Sequence, residues 1–279
     1  MKKGASFFSF AQDANIKEAM GHCAKAGYDG IELILSENGY LNLQTSDKEV
    51  LDMKNMANDF GLETHSVGVW SLWDHNLVSD NEKTRKYAES IIERQLDIAA
   101  LLKADTILVV PGYVGCDFAA VREFVRYDIA YERAQESLAK LAKHAQQVKV
   151  NIGVENVWNR FLLSPIEMCR FVDEIASDYA GVYFDVGNII YIGYPQQWIE
   201  ILGKRIKKIH FCDYRASQAG LGAFVDLLAG DVDFKAVMAS LRSVGYDDYV
   251  TLEMLPNYKE FPYVSMYSNK CAMDTIVNL

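Results

Sequence analysis

Four short β-rich runs in the second half of this chain each close on a residue able to hold a cation. Asn151-Ile152-Gly153-Val154 leads into Glu155, Val182-Tyr183-Phe184 into Asp185, Ile206-Lys207-Lys208-Ile209 into His210, and Tyr249-Val250-Thr251-Leu252 into Glu253. Singly, each has a plain structural reading. An aspartate closing a strand is commonly a turn residue, a lone histidine a hydrogen-bonded core or rim group, and Glu155 and Glu253 can be rim charges paired with Arg160 or Lys259. Each carboxylate nevertheless follows apolar residues, where burying it without a partner is costly. Three hard oxygen donors and one imidazole, with no thiolate, suit one divalent metal: Mn2+ or Mg2+ first, with Co2+ or Zn2+ compatible.

Such a metal can polarise a carbonyl and a neighbouring hydroxyl of a sugar. Glu155 and Glu253 can then face each other across the substrate. One removes the proton next to the carbonyl, the metal holds the resulting cis-enediolate, and the other returns a proton. Return to the opposite face is epimerisation; return to the neighbouring carbon is isomerisation. No Ser/His/Asp or Cys/His set stands out.

The elements that must position these residues alternate along the whole chain. Strands are predicted over Gly4–Phe10, Asp29–Leu33, Leu62–Val69, Asp105–Val110 and then at the four runs above, the last ending at Glu253. Helices are predicted between them: Asn15–Lys25, a capping-box helix from Ser46 to Phe60, Asp80–Leu102, Tyr127–Gln147, one opened by Ser164-Pro165, Pro195–Leu202, one capped by Asp233, and a closing helix from Val264. Eight alternating units in a chain of 279 residues predict an α/β fold, a (β/α)8 TIM barrel occupying 1–279 as one domain. The four runs are then consecutive strands, with their ends side by side at the barrel's C-terminal face. An open doubly wound sheet ranks below, because no GxGxxG follows the first strand and there is no GxxxxGK[ST].

Composition narrows the partners. The net charge is −10, from 28 basic and 38 acidic side chains, which argues against a nucleic-acid ligand. No apolar run approaches the ~20 residues of a membrane span, and no targeting peptide is read. The five cysteines are scattered and show no CxxC, as expected for reduced thiols in a cytoplasmic protein.

The runs Gly153-Val154-Glu155-Asn156-Val157-Trp158-Asn159-Arg160-Phe161, Tyr183-Phe184-Asp185-Val186-Gly187-Asn188, Lys208-Ile209-His210-Phe211-Cys212-Asp213-Tyr214-Arg215 and Thr251-Leu252-Glu253-Met254 resemble motifs of the sugar-phosphate isomerase/epimerase group, the xylose-isomerase-like TIM barrels. Within it they are similar to ketose 3-epimerases of the D-tagatose and D-psicose type and to L-xylulose-5-phosphate 3-epimerase and hexulose-phosphate isomerase types. The resemblance implies Glu155, Asp185, His210 and Glu253 as metal ligands and Glu155 and Glu253 as the acid/base pair. It implies that Arg215 reaches substrate oxygens. It also implies a small-molecule sugar or sugar-phosphate substrate, most directly 3-epimerised, in a homodimer or tetramer.

Free-ketose epimerases tend to carry histidine where this chain has Asn188, which can still donate to a sugar hydroxyl. Further candidate substrate contacts are Trp158 as a wall, Arg160 as an anion partner, Glu32 at the end of the second strand and His65 on the third. For His65 a buried structural role is the alternative. An aldose–ketose isomerase and a sugar or inosose dehydratase share the same metal chemistry. A three-metal hydrolase of this fold consumes many histidines, and of the five here only His210 ends one of the four ligand strands. A non-catalytic sensor has no use for four ligands.

Overall fold

The computed structural model of the protein describes residues 1–11, 13–119, 122–255 and 258–279. Its centre is a closed parallel barrel with the strand order β1-β10-β7-β6-β5-β4-β3-β2. The strands are β1 (Lys2–Ser6), β2 (Gly30–Leu35), β3 (Glu63–Val69), β4 (Thr106–Val109), β5 (Asn151–Glu155), β6 (Ala180–Asp185), β7 (Ile206–Phe211) and β10 (Tyr249–Leu252). A two-residue-per-strand hairpin, β8 (Asp213–Tyr214) and β9 (Phe224–Val225), follows β7.

The helices are α1 (Ile16–Ala26), α2 (Asp47–Asp59), α3 (Glu82–Leu102), α4 (Tyr127–Val148), α5 (Pro165–Glu174), α6 (Gly187–Ile190), α7 (Pro195–Leu202), α8 (Phe234–Ser243) and α9 (Val264–Val277). Local chemistry sets several starts. Asn15 accepts from the amides of Lys17 and Glu18, and Ser46 and Glu49 satisfy each other in a full capping box. Ser164 accepts from Glu167 N ahead of Pro165, and Asp233 accepts from Ala236 N. No helix among the described residues is long and apolar enough to cross a membrane.

Most predicted bounds shift by a residue or two, but two differences matter. The first strand stops at Ser6 and turns into a 3-10 helix at Phe7–Ser9, with the Ser6 side chain accepting from Phe8 N. The second runs on to Leu35, so Glu32 lies inside it and not at its end.

Two strands carry one residue too many. Between β2 and β3, Ile31 faces Thr64 and Glu32 faces Ser66, leaving His65 as the extra residue. Between β6 and β7, Val182 faces Ile206 and Tyr183 faces Lys208, leaving Lys207 extra. A bulge breaks the two-residue alternation of side chains and re-aims those beyond it. The barrel floor is polar. Lys208, 1% exposed, pairs with Asp105 and Asp248 and lies over the Tyr249 ring. Tyr249 hydroxyl donates to Glu63, which also binds Lys2.

Candidate metal centre

Glu155 is the last residue of β5, Asp185 the last of β6, His210 the second last of β7, and Glu253 follows β10 directly. These strands are consecutive in the barrel, so the two glutamates bracket an arc with Asp185 and His210 between them. One ligand atom from each of the four lies within 4.8 Å of the others.

His210 is held from behind. Its Nε2 is 2.9 Å from Glu32 Oε1, and both side chains are fully buried. Glu32 accepts further from Ser6 Oγ at 2.7 Å, Ser66 Oγ at 2.7 Å and the Tyr183 hydroxyl at 2.6 Å. Burial alone would raise the Glu32 carboxyl, but the His210 charge and these donors outweigh it and hold it at about 2. Glu32 is therefore a buried anion that sets the imidazole's direction, and not the substrate contact expected of it. The other ring nitrogen, Nδ1, lies 3.0 Å from Glu253 Oε2 and 3.5 Å from Glu155 Oε1. It is buried and aligned with neither for a hydrogen bond.

Asp185 is fixed just as closely. Its Oδ1 accepts from Asn188 N at 2.7 Å, and the Cys212 thiol lies 2.9 and 3.0 Å from its two oxygens. Asn156 exchanges two hydrogen bonds with the Asp185 backbone. Burial pushes the Glu155 carboxyl up to about 8 and that of Asp185 to about 7, and the neighbouring Glu253 charge pushes both the same way. For His210, burial opposes the charged form, but Glu32, Glu253 and Glu155 prevail and hold it well above the usual histidine range.

Two buried carboxylates and a half-buried one, crowded around an unsatisfied imidazole nitrogen, are the donor set a divalent cation requires. A bound cation would offset their mutual repulsion and satisfy Nδ1. Cys212 is not a fit ligand: burial and the adjacent Asp185 push its thiol well up, so it donates to the carboxylate.

Over the cluster lies a cavity of about 110 Å3, lined by Glu155, Glu253, Asn188 and Cys212 and walled by Trp158, Trp70 and other apolar side chains. Trp158 lines this cavity, its Nε1 donating to Asn188 O and its ring against Tyr214 and Phe224. Asn188 also lines the cavity, although its amide is engaged with Asn156 O.

The other candidates stand apart. Arg160 turns outward onto Asp117. Arg215 is exposed, and its Nε donates to Ala229 O. His65 lies inside the barrel, stacked on Tyr249 and bonded to Thr251, where burial lowers its imidazole to about 3. It is a neutral packing group and does not line the cavity over the cluster. Asn156 and Cys212 went unnoticed in sequence as site residues, although each neighbours a ligand within its motif. Asp213 organises the loop beyond: its carboxylate accepts from the amides of Tyr214, Gly230 and Val232.

Comparison with known proteins agrees with this architecture. A family model described as "Xylose isomerase-like TIM barrel" matches residues 20–263. The chain is 24% identical to an inosose isomerase of Bacillus velezensis, covering 88% of this chain and 86% of that protein. It is 22% identical to an L-ribulose 3-epimerase of Methylomonas, covering 86% and 78%. The structure superposes on a crystal structure of D-psicose 3-epimerase determined with D-fructose, with a TM-score of 0.81 over 100% of both chains at 19% identity.

Proposed function

The chain belongs to the xylose isomerase-like TIM barrel family, and from that premise we propose that it is a divalent-metal-dependent epimerase or isomerase of a ketose, with 3-epimerisation as the main reaction. The observation that carries this reading is the pair of glutamates at the two ends of one ligand arc, both opening onto one cavity. The isomerase and epimerase names of its relatives support the same chemistry.

Glu155, Asp185, His210 and Glu253 would hold the cation, with Mn2+ or Mg2+ favoured by the oxygen-rich donor set. When bound, the cation supplies Lewis-acid polarisation of the substrate carbonyl and the hydroxyl beside it. The protein's part is proton transfer. One glutamate takes the proton from the carbon next to the carbonyl, and the enediolate forms. The other glutamate delivers a proton to the opposite face, inverting that carbon. Glu32 keeps the His210 ring in place throughout, and the aromatic walls exclude bulk water. Among the described residues no Lys or Arg lines this cavity, which supports a neutral ketose over a ketose phosphate.

The test is deuterium incorporation. The Mn2+-loaded protein is incubated in D2O with ketoses and ketose phosphates, and products are read by NMR after chelating the metal. Deuterium at C3 with a new epimer is expected, abolished in Glu253→Gln. Exchange at C1 or C2 with aldose formation would make the enzyme an aldose–ketose isomerase, and loss of a hydroxyl would make it a dehydratase. No exchange in a protein holding one equivalent of metal sinks the proposal.

A further inference from the structure

A second, larger cavity of about 410 Å3 adjoins the metal centre. That is within the ~300–1,000 Å3 typical of sites for small organic ligands. Phe8, Trp70 and Leu255 line both cavities, so the two are neighbouring compartments of one cleft. The smaller holds the reacting glutamates. The larger holds no group the reaction uses, yet it is built from a distinct set of side chains.

That set is aromatic and acidic. Phe7, Phe10 and Tyr40 give flat apolar surfaces, with the Phe7 and Tyr40 rings 4.5 Å apart at a steep angle. Between them stand Ser36, Glu37, Asn38 and Asp74. Glu37 Oε1 meets His75 Nε2, which leaves its second oxygen as an acceptor. Aromatic faces suit the C–H faces of a sugar ring, and carboxylates are acceptors for its hydroxyls. A phosphate carries about −1.5 to −2 charges at neutral pH and needs donors. Here it would stand beside two carboxylates, and among the described residues no Lys or Arg lines the compartment.

We propose that the larger compartment is a subsite for a second, uncharged sugar ring. The substrate is then a ketose joined to a neutral glycosyl group, with its carbonyl over the metal centre and its second ring against Tyr40, Glu37 and Asp74. This substrate class rests on the epimerase/isomerase reading of the metal centre; the subsite itself does not.

Two measurements separate them. The first is saturation-transfer NMR of methyl β-D-glucopyranoside, which has no carbonyl to react, with the Mg2+-loaded protein and with Asn38→Trp. Asn38 is exposed and lines the compartment, and an indole there would take up part of the space a sugar ring needs. Saturation of the glucoside is expected in the wild type and its loss in the variant. The second is kcat/KM for deuterium exchange on maltulose, D-fructose and D-fructose 6-phosphate. Maltulose is expected to exceed both by about tenfold or more, the scale of one well-filled pocket. In Asn38→Trp the maltulose-to-fructose ratio should fall by a similar factor.

Exchange on fructose with no glucoside binding in the wild type overturns the subsite and leaves the enzyme reading intact. Glucoside binding without exchange on any ketose supports the subsite and removes the proposed reaction. A preference for the phosphate, or a ratio unmoved by Asn38→Trp, overturns the inference.

Discussion

Replacing Glu32 tests whether a buried anion behind His210 governs metal binding. Each Glu32 oxygen serves two donors: Oε1 takes Ser6 Oγ and His210 Nε2, and Oε2 takes Ser66 Oγ and the Tyr183 hydroxyl. In Glu32→Gln the amide oxygen still accepts from Ser6 and His210. The amide nitrogen faces Ser66 and Tyr183, whose hydroxyls can reverse direction. The ring stays pinned with its proton on Nε2, but the charge that makes Nδ1 a better donor is gone. Loss of a partner behind a metal-bound histidine typically weakens binding about 10–100-fold. Glu32→Gln belongs at the lower end, about tenfold or ~1.4 kcal/mol. Glu32→Leu removes the carboxylate from four buried donors, leaving Ser66 and Tyr183 only each other, and frees the ring, so about a hundredfold is expected. The assay is competition for Mn2+ against a fluorescent chelator at pH 7.5. Circular dichroism of the metal-free proteins establishes that each variant is folded. A folded Glu32→Leu protein that binds Mn2+ within about twofold of wild type would refute the reasoning.

Three further outcomes follow from the same geometry. Glu155 and Asp185 have raised carboxyls, to about 8 and about 7, mainly through burial; this contribution to stability is present below about pH 4 and is lost as pH rises through those values. The melting temperature of chelator-treated protein should therefore fall between pH 5 and 8. Its gap to metal-loaded protein should widen over the same range, because metal needs the deprotonated carboxylates; a constant gap contradicts this. A Cβ at Gly187 would lie 2.5 Å from Cys212 Sγ and 3.1 Å from its carbonyl oxygen, so Gly187→Ala should displace the thiol from Asp185, costing about 1–3 kcal/mol of stability by denaturant titration and weakening metal binding. Arg160→Ala and Arg215→Ala should change kcat/KM on the true substrate by less than about threefold, since Arg160 turns out onto Asp117, Arg215 binds Ala229 O, and neither lines the cavity over the cluster; a larger loss would place them in the site.

How much of this was legible depended on range. The four strands could be read because each β-rich run ends on its candidate ligand, and α7 because Pro195 and Gly203 punctuate it. The capping box at Ser46 is complete within four residues. Glu32 was misread because the strand continues past it to Leu35 with further apolar residues, and nothing local announces the four donors that converge on it. Lys208 looks in sequence like an exposed neighbour of Lys207; it is buried because its partners, Asp105 and Asp248, come from distant strand ends. The role of Asp213 depends on amides near residues 230 and 232. The outward turn of Arg160 depends on Asp117, from a loop after another strand. Alternation also fails at the two bulges, where a pattern of period two loses count.

The surplus residue in β3 also limits what its neighbours can be. A Cβ on Gly4 would fall 2.5 Å from the His65 ring, and one on Gly30 would fall 2.9 Å from it. The imidazole occupies the room that two absent side chains on adjacent strands leave behind. The sizes of positions 4 and 65 are therefore coupled. Enlarging Gly4 requires the histidine to shrink or move, whereas a Cβ at Gly30 also meets the Glu63 carbonyl oxygen at 2.7 Å and the Tyr249 ring at 2.9 Å, so position 30 stays closed even without the imidazole. A smaller residue at 65 should therefore relieve Gly4→Ala but leave Gly30→Ala destabilising.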